Sequence, residues 1–375
     1  MRFTVSSTAL SNKLTALSRV INSRNALQIL GDFMFVTEGK QLHITASDGE
    51  NTLSTTIELA DSDTDDAFAI DSHNLLEAVK GFSEQPLTIE VDKMGKLANI
   101  IYQNGHFALP TDNVEEYPKT LGITEDATEI TLPCGMLYDN ISRSLFATAQ
   151  DELRPVMNGL YFDLTADCLA IVATDGHKLV RNRNYSIKTA QPTAFILPKK
   201  PASLLKNMLG KEGNDVNIKF NERTAVINFD ENELICRLIE GRYPNYNAVI
   251  PQSNSNIITV DRNGMLSALK RVAPFANDAS NLIKFTIADN TLTLDAEDYD
   301  FSKTASEKLA CDYNGKPMSI GFKGSSFIEV LSNFTCDDVV IKLADPGRAG
   351  LVMPAEQNEG TDEEVMMLLM PMLIE

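Results

Sequence analysis

The chain is poor in the residues that most chemistry needs. Its 375 residues include only four histidines and five cysteines. Cys134, Cys168, Cys236, Cys311 and Cys336 lie far apart without a C-x-x-C pair, and no histidine stands near one at ligand spacing. That excludes a zinc finger or ribbon. An odd set of scattered thiols points instead to free, buried cysteines in a reducing compartment. No apolar run approaches the roughly 18 residues of a membrane-crossing helix. Met1-Arg2-Phe3-Thr4-Val5 is no signal-peptide core, so a soluble, cytoplasmic protein without a membrane partner is expected. Positive charge is also scarce. Against 52 Asp and Glu stand 33 Lys and Arg, a net charge of −19. Such a balance argues against a surface coated in nucleic acid, but leaves room for a local basic face.

Catalytic motifs are missing as well. Gly39-Lys40, Gly95-Lys96, Gly210-Lys211 and Gly315-Lys316 are each followed by the wrong residue for a phosphate-binding loop. G-x-G-x-x-G, H-E-x-x-H and G-x-S-x-G do not occur. The acidic run 61–66 imitates a calcium loop, yet Asp66 stands where that loop needs glycine and Ser72 where it needs glutamate. His177 could act as a general base, but no cysteine, serine or second histidine lies near it in sequence. A histidine that fixes a turn or lines a pocket is the better reading. No enzymatic activity, metal or cofactor is expected; a binding protein is.

What the chain does have is repetition. Ala46-Ser47-Asp48-Gly49 returns as Ala173-Thr174-Asp175-Gly176, each reading as strand, tight turn, strand. An amphipathic helix opens each third: 8–24 with Leu10, Leu14, Leu17 and Ile21; 134–149 with Leu137, Ile141 and Leu145; 261–276 with Met265, Leu269, Val272 and Ala273. A hairpin follows each, turning at 38–40, 165–167 and 288–290. Second helices then come in register at 71–83, 199–212 and 323–334, each running into a strand at 87–91, 216–220 and 339–343. Tyr117-Pro118 and Tyr243-Pro244 close the first two passes, and a strand-like 366–372 closes the third. The pattern predicts an α+β chain of three similar domains, 1–126, 127–254 and 255–375. Each would hold two helices and six to eight short antiparallel strands, with one sheet face on its helices and one facing out. Open sheet edges would invite pairing with a second copy.

Charge follows the same plan. The six helix windows together carry a net positive charge, while the strands and loops carry the acids. The first window has Lys13, Arg19 and Arg24 among small polar residues and no acid. No aromatic residues stand there for base stacking, so the surface would hold phosphates without reading sequence. If the helices of two copies lined a ring, a positive lumen would attract duplex DNA while the negative outside repelled it. The tail 365–374 is nearly all apolar; its first half reads as a buried strand and Pro371 should take the rest off the sheet. Its methionines would suit an adaptable surface for short apolar peptides.

These residues carry a signature. Arg154-Pro155-Val156-Met157-Asn158-Gly159, Thr174-Asp175-Gly176-His177-Lys178-Leu179, Gly241-Arg242-Tyr243-Pro244 and Met370-Pro371-Met372, in order, resemble the bacterial sliding clamp family, the beta subunits of DNA polymerase III. The resemblance spans essentially the whole chain. It implies three clamp domains per chain and a head-to-tail homodimer, a six-domain ring around double-stranded DNA. Its implied partners are the replicative polymerase, the clamp loader, and other polymerases and repair proteins with clamp-binding peptides. The peptide pocket it implies consists of Met157, Thr174, Gly176, His177, Lys178, Leu179, Pro244, Val249, Leu368, Met370, Pro371 and Met372. Implied DNA contacts are Arg24 and Lys200; the charge argument adds Lys13, Arg19, Lys206, Lys270 and Arg271. The implied ring junction joins Phe107 and Leu109 to Pro274 and Phe275 of a second copy. Met157, where leucine is frequent, and the ending Leu373-Ile374-Glu375 depart from the family pattern at the pocket. A repeat-built protein-interaction scaffold that does not bind DNA, and an enzyme with paired carboxylates on the same scaffold, are the competing readings.

Overall fold

The computed structural model describes residues 1–374 except 121, 125, 152 and 358–361. Among the described residues there are six α-helices, α1 (Ser7–Leu17), α2 (Ser72–Val79), α3 (Cys134–Ser144), α4 (Lys199–Met208), α5 (Arg262–Val272) and α6 (Gly324–Ser332). Each is shorter than its expected window, and all lie inside it except α1, which starts one residue early at Ser7. In the first, the Ser18 hydroxyl turns back onto the Thr15 carbonyl and the following amides form tight i→i−3 bonds, so the helix ends early. Arg19 and Arg24 therefore lie beyond α1, and Val20, rather than Ile21, completes its buried stripe with Leu10, Leu14 and Leu17. Each of these leucines, fully buried, stabilises by about 1.5–3 kcal/mol. Side-chain caps start α1 and α2: Ser6 accepts from the Ala9 amide at 3.1 Å and Asp71 from that of Asn74 at 2.8 Å. The last two windows lose their ends to 3₁₀ turns or loops in the same way, and Ala273 falls in a 3₁₀ turn, Ala273–Phe275.

The chain divides into two compact units, Met1–Tyr138 with Lys200–Leu238, and Asp139–Lys199 with Ile239–Glu375. In the first, a 13-stranded sheet runs without a break. Its central joint is the antiparallel pairing of Asn51–Glu58 with Asn232–Arg237, which puts Leu53 opposite Leu234 and Asn51 opposite Cys236. Helices α1 and α2 pack together in this unit. In the second, a nine-stranded sheet has the corresponding joint where Lys178–Asn184 pairs with Glu363–Leu369. A four-stranded sheet, ordered Lys303–Ala310, Thr291–Asp298, Leu282–Ala288, Met318–Lys323, stands beside packed helices α5 and α6. The strands slightly outnumber the expectation because the two-residue pieces Asp61–Ser62 and Asp312–Tyr313 add to sheet edges. Tail strand Glu363–Leu369 stops before Met370, so the strand expected at 366–372 is shifted towards the N-terminus.

Most strands alternate buried and half-buried residues, as Arg2–Ser6 and Leu282–Ala288 do. Leu169–Thr174 does not: all six residues are buried. The expected outward face of this strand is covered by the segment 243–250, whose Tyr243, Tyr246 and Ile250 join Ala170, Val172, Leu179, Leu351, Met366 and Leu368 in one apolar cluster. The four cysteines of the core, Cys134, Cys168, Cys236 and Cys311, are free and buried, and burial pushes the Cys236 thiol up to about 12.

One buried polar group makes stability depend on pH. Asp32 opens its strand directly opposite Asp71 and is buried, with Asp112 close by. Burial first, then the charge and hydrogen bond of Asp112, then Asp71, push its carboxyl up to about 7. A raised carboxyl favours the folded, protonated chain at low pH; that stabilisation fades as pH rises from about 4 through 7. Asp32→Asn is therefore expected to stabilise the chain at pH 8 by about 1–3 kcal/mol. It should also flatten the pH dependence of urea unfolding between pH 5 and 8, and an unchanged slope would count against this reading.

Candidate functional site

The repeated turn is repeated in its bonding. In the first copy the Asp48 carboxylate accepts from the amides of Glu50 and Asn51 at 2.9 and 2.7 Å, and the Ser47 hydroxyl accepts from Gly49 at 3.1 Å. In the second, Asp175 accepts from His177 and Lys178 at 2.8 and 2.9 Å, and Thr174 from Gly176 at 3.1 Å. Gly49 and Gly176 have φ of +92° and +90°, a conformation L side chains rarely adopt. Buried Tyr117 and Tyr243 lie against the backbone of Ser47 and Thr174, and burial pushes both phenols well above their usual range.

The two turns then differ in what meets them. At the first, the Lys200 ammonium donates to the Val20 carbonyl at 2.6 Å, to Asn22 Oδ1 at 2.7 Å and to Asp48 Oδ2. Burial works to raise the Asp48 carboxyl, but the bonds from Lys200 and Asn51 prevail and hold it below the usual carboxylate range. At the second, the tail of the chain arrives. The Met370 amide donates to the His177 carbonyl at 2.8 Å, and the Met372 amide to the Gly321 carbonyl at 2.8 Å. Leu368 stands directly opposite Leu179.

Of the pocket residues expected from the sequence, the structure brings the hairpin 174–179 and the tail 368–372 into direct contact. Met157 joins them: a Cβ placed on Gly176 would lie 3.8 Å from Met157 Cε. Leu179 and Leu368 are buried at the floor, Gly176 and His177 are exposed, and Met370 is half open. Pro244 and Val249 are exposed on the segment whose Tyr243 and Ile250 pack into the floor cluster. Lys178 points elsewhere. Its ammonium pairs with Glu329 of α6 at 2.6 Å and Asp175 at 3.6 Å and sits over the Phe146 ring, so it steadies the turn from the opposite face. The wall is apolar, with backbone groups at its rim, and suits a short extended peptide with apolar anchors.

Two residues here escaped the sequence reading. Arg154, paired with Asp151 at 3.1 Å, puts Nη1 within 2.8 Å of a Cβ at Gly176. Gly321 leaves room for the tail, since a Cβ there would meet the Met372 carbonyl oxygen at 2.8 Å. Arg154 lies in the quoted R-P-V-M-N-G run, which hinted at it; nothing local marked Gly321. Glu375, part of the unusual ending, lies outside the described residues.

The candidate DNA contacts fall into two groups. Arg19, Arg24, Lys206 and Lys270 are exposed, with no ion-pair partner among the described residues. Lys13 pairs with Glu231 at 3.4 Å, Arg271 holds Glu307 through two bonds, and Lys200 is held at the Asp48 turn. The candidate junction residues sit at two strand edges. Phe107 and Leu109 are half-buried on Gly105–Asp112, which pairs fully with Leu97–Tyr102 on one side. On its other side only Thr111 and Asp112 are paired, leaving 105–110 open among the described residues. Lys303–Ala310 is likewise the end strand of its sheet, and the 3₁₀ turn with Pro274 and half-exposed Phe275 packs beside it. No group of three potential metal ligands, and no helix long and apolar enough to cross a membrane, occurs among the described residues.

Comparison with known proteins agrees along the chain. Three family models match in succession: the DNA polymerase III beta subunit N-terminal domain over residues 1–121, its central domain over 131–245 and its C-terminal domain over 247–373. The beta sliding clamp of Pseudomonas putida is 26% identical over 363 residues, 96% of this chain and 98% of its own. That of Vibrio cholerae serotype O1 is 25% identical over 372 residues, 99% of each chain. The crystal structure of the DNA polymerase III subunit beta from Pseudomonas aeruginosa matches over 100% of both chains with a TM-score of 0.93 at 25% identity. With all three domains present in order, the chain belongs to the DNA polymerase III beta subunit family.

Proposed function

We propose that this chain is the processivity clamp of a replicative DNA polymerase, a non-catalytic ring that encircles duplex DNA and tethers partners by their peptides. The observation that carries the reading is a pair of strand edges left open among the described residues, 105–110 within the part matched by the N-terminal domain model and Lys303–Ala310 within that matched by the C-terminal one. Exposed edges are liabilities unless something pairs with them. Two copies joined head to tail satisfy both edges at once, with Phe107 and Leu109 meeting Pro274 and Phe275, and the result is closed. Domains 1–126, 127–254 and 255–375 of the two copies are then the six segments of the ring. Arg19, Arg24, Lys206 and Lys270 are free to meet phosphates, while the pocket of Met157, Leu179, Leu368, Met370 and Met372 takes peptides from the polymerase, the clamp loader and repair proteins. The protein works in the cytoplasm, where the chromosome is copied.

Light scattering across a dilution series should give a species near twice the 41.3 kDa chain. On nicked circular DNA the loaded protein should stay bound, and linearising the circle should release it. A persistent monomer would overturn ring closure. Absence of any topological retention would favour the scaffold that does not bind DNA.

A further inference from the structure

A cleft of ≈ 300 Å³ opens on the face of the nine-stranded sheet that the segment 243–254 covers. Three cations line it. Arg181 and Arg183 stand two apart on Lys178–Asn184 and so share a face, while Lys342 comes from Asp338–Leu343, with two strands between. Asn247, Gln252 and Asn254 line it too, with Ile250, Pro251 and Leu351. The Asn254 amide nitrogen donates to the Lys342 and Ala349 carbonyls at 2.9 and 3.0 Å, and Asn247 Oδ1 accepts from Arg181 Nη1 at 3.5 Å.

The positive charge there is only partly answered. Glu364, opposite Arg183 in register, accepts a bond from Arg181 and lies 3.8 Å from Arg183. It also accepts from the Tyr185 hydroxyl at 2.9 Å. One carboxylate thus serves two guanidinium groups, and the Lys342 ammonium has no ion-pair partner among the described residues. Arg181 is 8% exposed, and its Nε is buried without a hydrogen-bond partner. Buried donors are nearly always satisfied, and a buried N–H that lacks an acceptor is a place where one fits.

We propose that this cleft binds a small oxyanion of the phosphate class. Guanidinium groups match the tetrahedral oxygens of phosphate, and the amide nitrogens of Asn247 and Gln252 can add directed bonds. The volume is at the small end for ligand pockets, which suits inorganic phosphate or a phosphomonoester rather than a whole nucleotide. The site is separate from both surfaces described above. Its cations come from strands rather than helices, and its polar lining is unlike the apolar wall that Leu179 and Leu368 give the peptide pocket. The two sites share a border, since Val249 belongs to the pocket and Asn247 and Ile250 to the cleft.

The test is calorimetric titration of inorganic phosphate into the full chain at constant ionic strength, with acetate and chloride in parallel. Wild type is compared with Arg183→Gln/Lys342→Gln, two residues outside the pocket and the candidate DNA contacts. One saturable site per chain is expected, weakened about tenfold or more in the double variant. Thermal unfolding in chloride should be alike for both proteins. If the double variant fails to fold, Lys342→Gln alone carries the same comparison. Heats that do not saturate, equal affinity in wild type and variant, or acetate binding as tightly as phosphate would overturn the proposal.

Discussion

Removal of residues 370–375 should abolish capture of a partner peptide, with an affinity loss of about a hundredfold or more, while the chain keeps its fold. The tail's strand ends at Leu369, so the deletion leaves every rung of the nine-stranded sheet in place. What disappears is the wall. Met370 and Met372 are each fixed by one backbone hydrogen bond, to His177 and Gly321, so the wall of the proposed pocket is held in place by the chain itself and little ordering cost should fall on binding. Gly321→Val should give a milder version from a distance, because its side chain would push the Met372 carbonyl and Leu282 out of place. Fluorescence anisotropy with a labelled clamp-binding peptide, beside a thermal melt, measures both effects. An affinity within threefold of the full chain would place the peptide site elsewhere.

The second large effect concerns Lys200, a residue that the family resemblance assigns to DNA. Lys200→Ala should destabilise the chain by about 2 kcal/mol or more, because it removes the only cation paired, among the described residues, with the Asp48 carboxylate, whose side chain is only 5% exposed. Lys200 itself is a third exposed, and solvent screening keeps the figure below the cost of breaking a fully buried pair. Asp48 is held below its usual range, so its contribution is present above about pH 4 and lost as the pH falls further. Lys206→Ala on the same helix should stay within about 0.5 kcal/mol of wild type. Equilibrium urea unfolding of both variants decides the matter, and equal costs would remove the structural role from Lys200. The comparison also bears on DNA work. A retention defect in a Lys200 variant mixes stability with charge, whereas Arg24 and Lys206 report on charge alone.

The contrast shows what the sequence carries and what it does not. Leu10, Leu14 and Leu17 at helical spacing need only local physics to declare α1, and the doubled S/T-D-G phrase encodes two turns whose bonds match one for one. The helix ends were harder to read, because Ser18 chooses between continuing α1 and bonding Thr15, and sequence spacing does not weigh that choice. Pairing between distant strands is harder still. Nothing in Asn51–Glu58 announces that Asn232–Arg237 will lie beside it, since a ladder is made of main-chain groups common to all residues. The site shows the same division. Leu179, Leu368 and the methionines of the tail were reached through motif resemblance, and the structure joins them. Lys178 belongs to the same motif but faces Glu329 and Phe146, because strand alternation sends it to the other side of Leu179. Gly321 matters only for the atom it lacks, and an absent side chain leaves no pattern to find.

Both within-chain joints, Asn51–Glu58 with Asn232–Arg237 and Lys178–Asn184 with Glu363–Leu369, are unbroken ladders of backbone hydrogen bonds. A seam of this kind is blind to side-chain identity as long as the strands remain strands. Three-quarters of the positions can therefore be exchanged, as they are between this chain and the Pseudomonas aeruginosa protein, without the seams coming apart. The places where a single substitution should break the assembly are few by the same logic. They are the points where the backbone cannot serve, such as the ammonium at Asp48 or the bare Cα of Gly321.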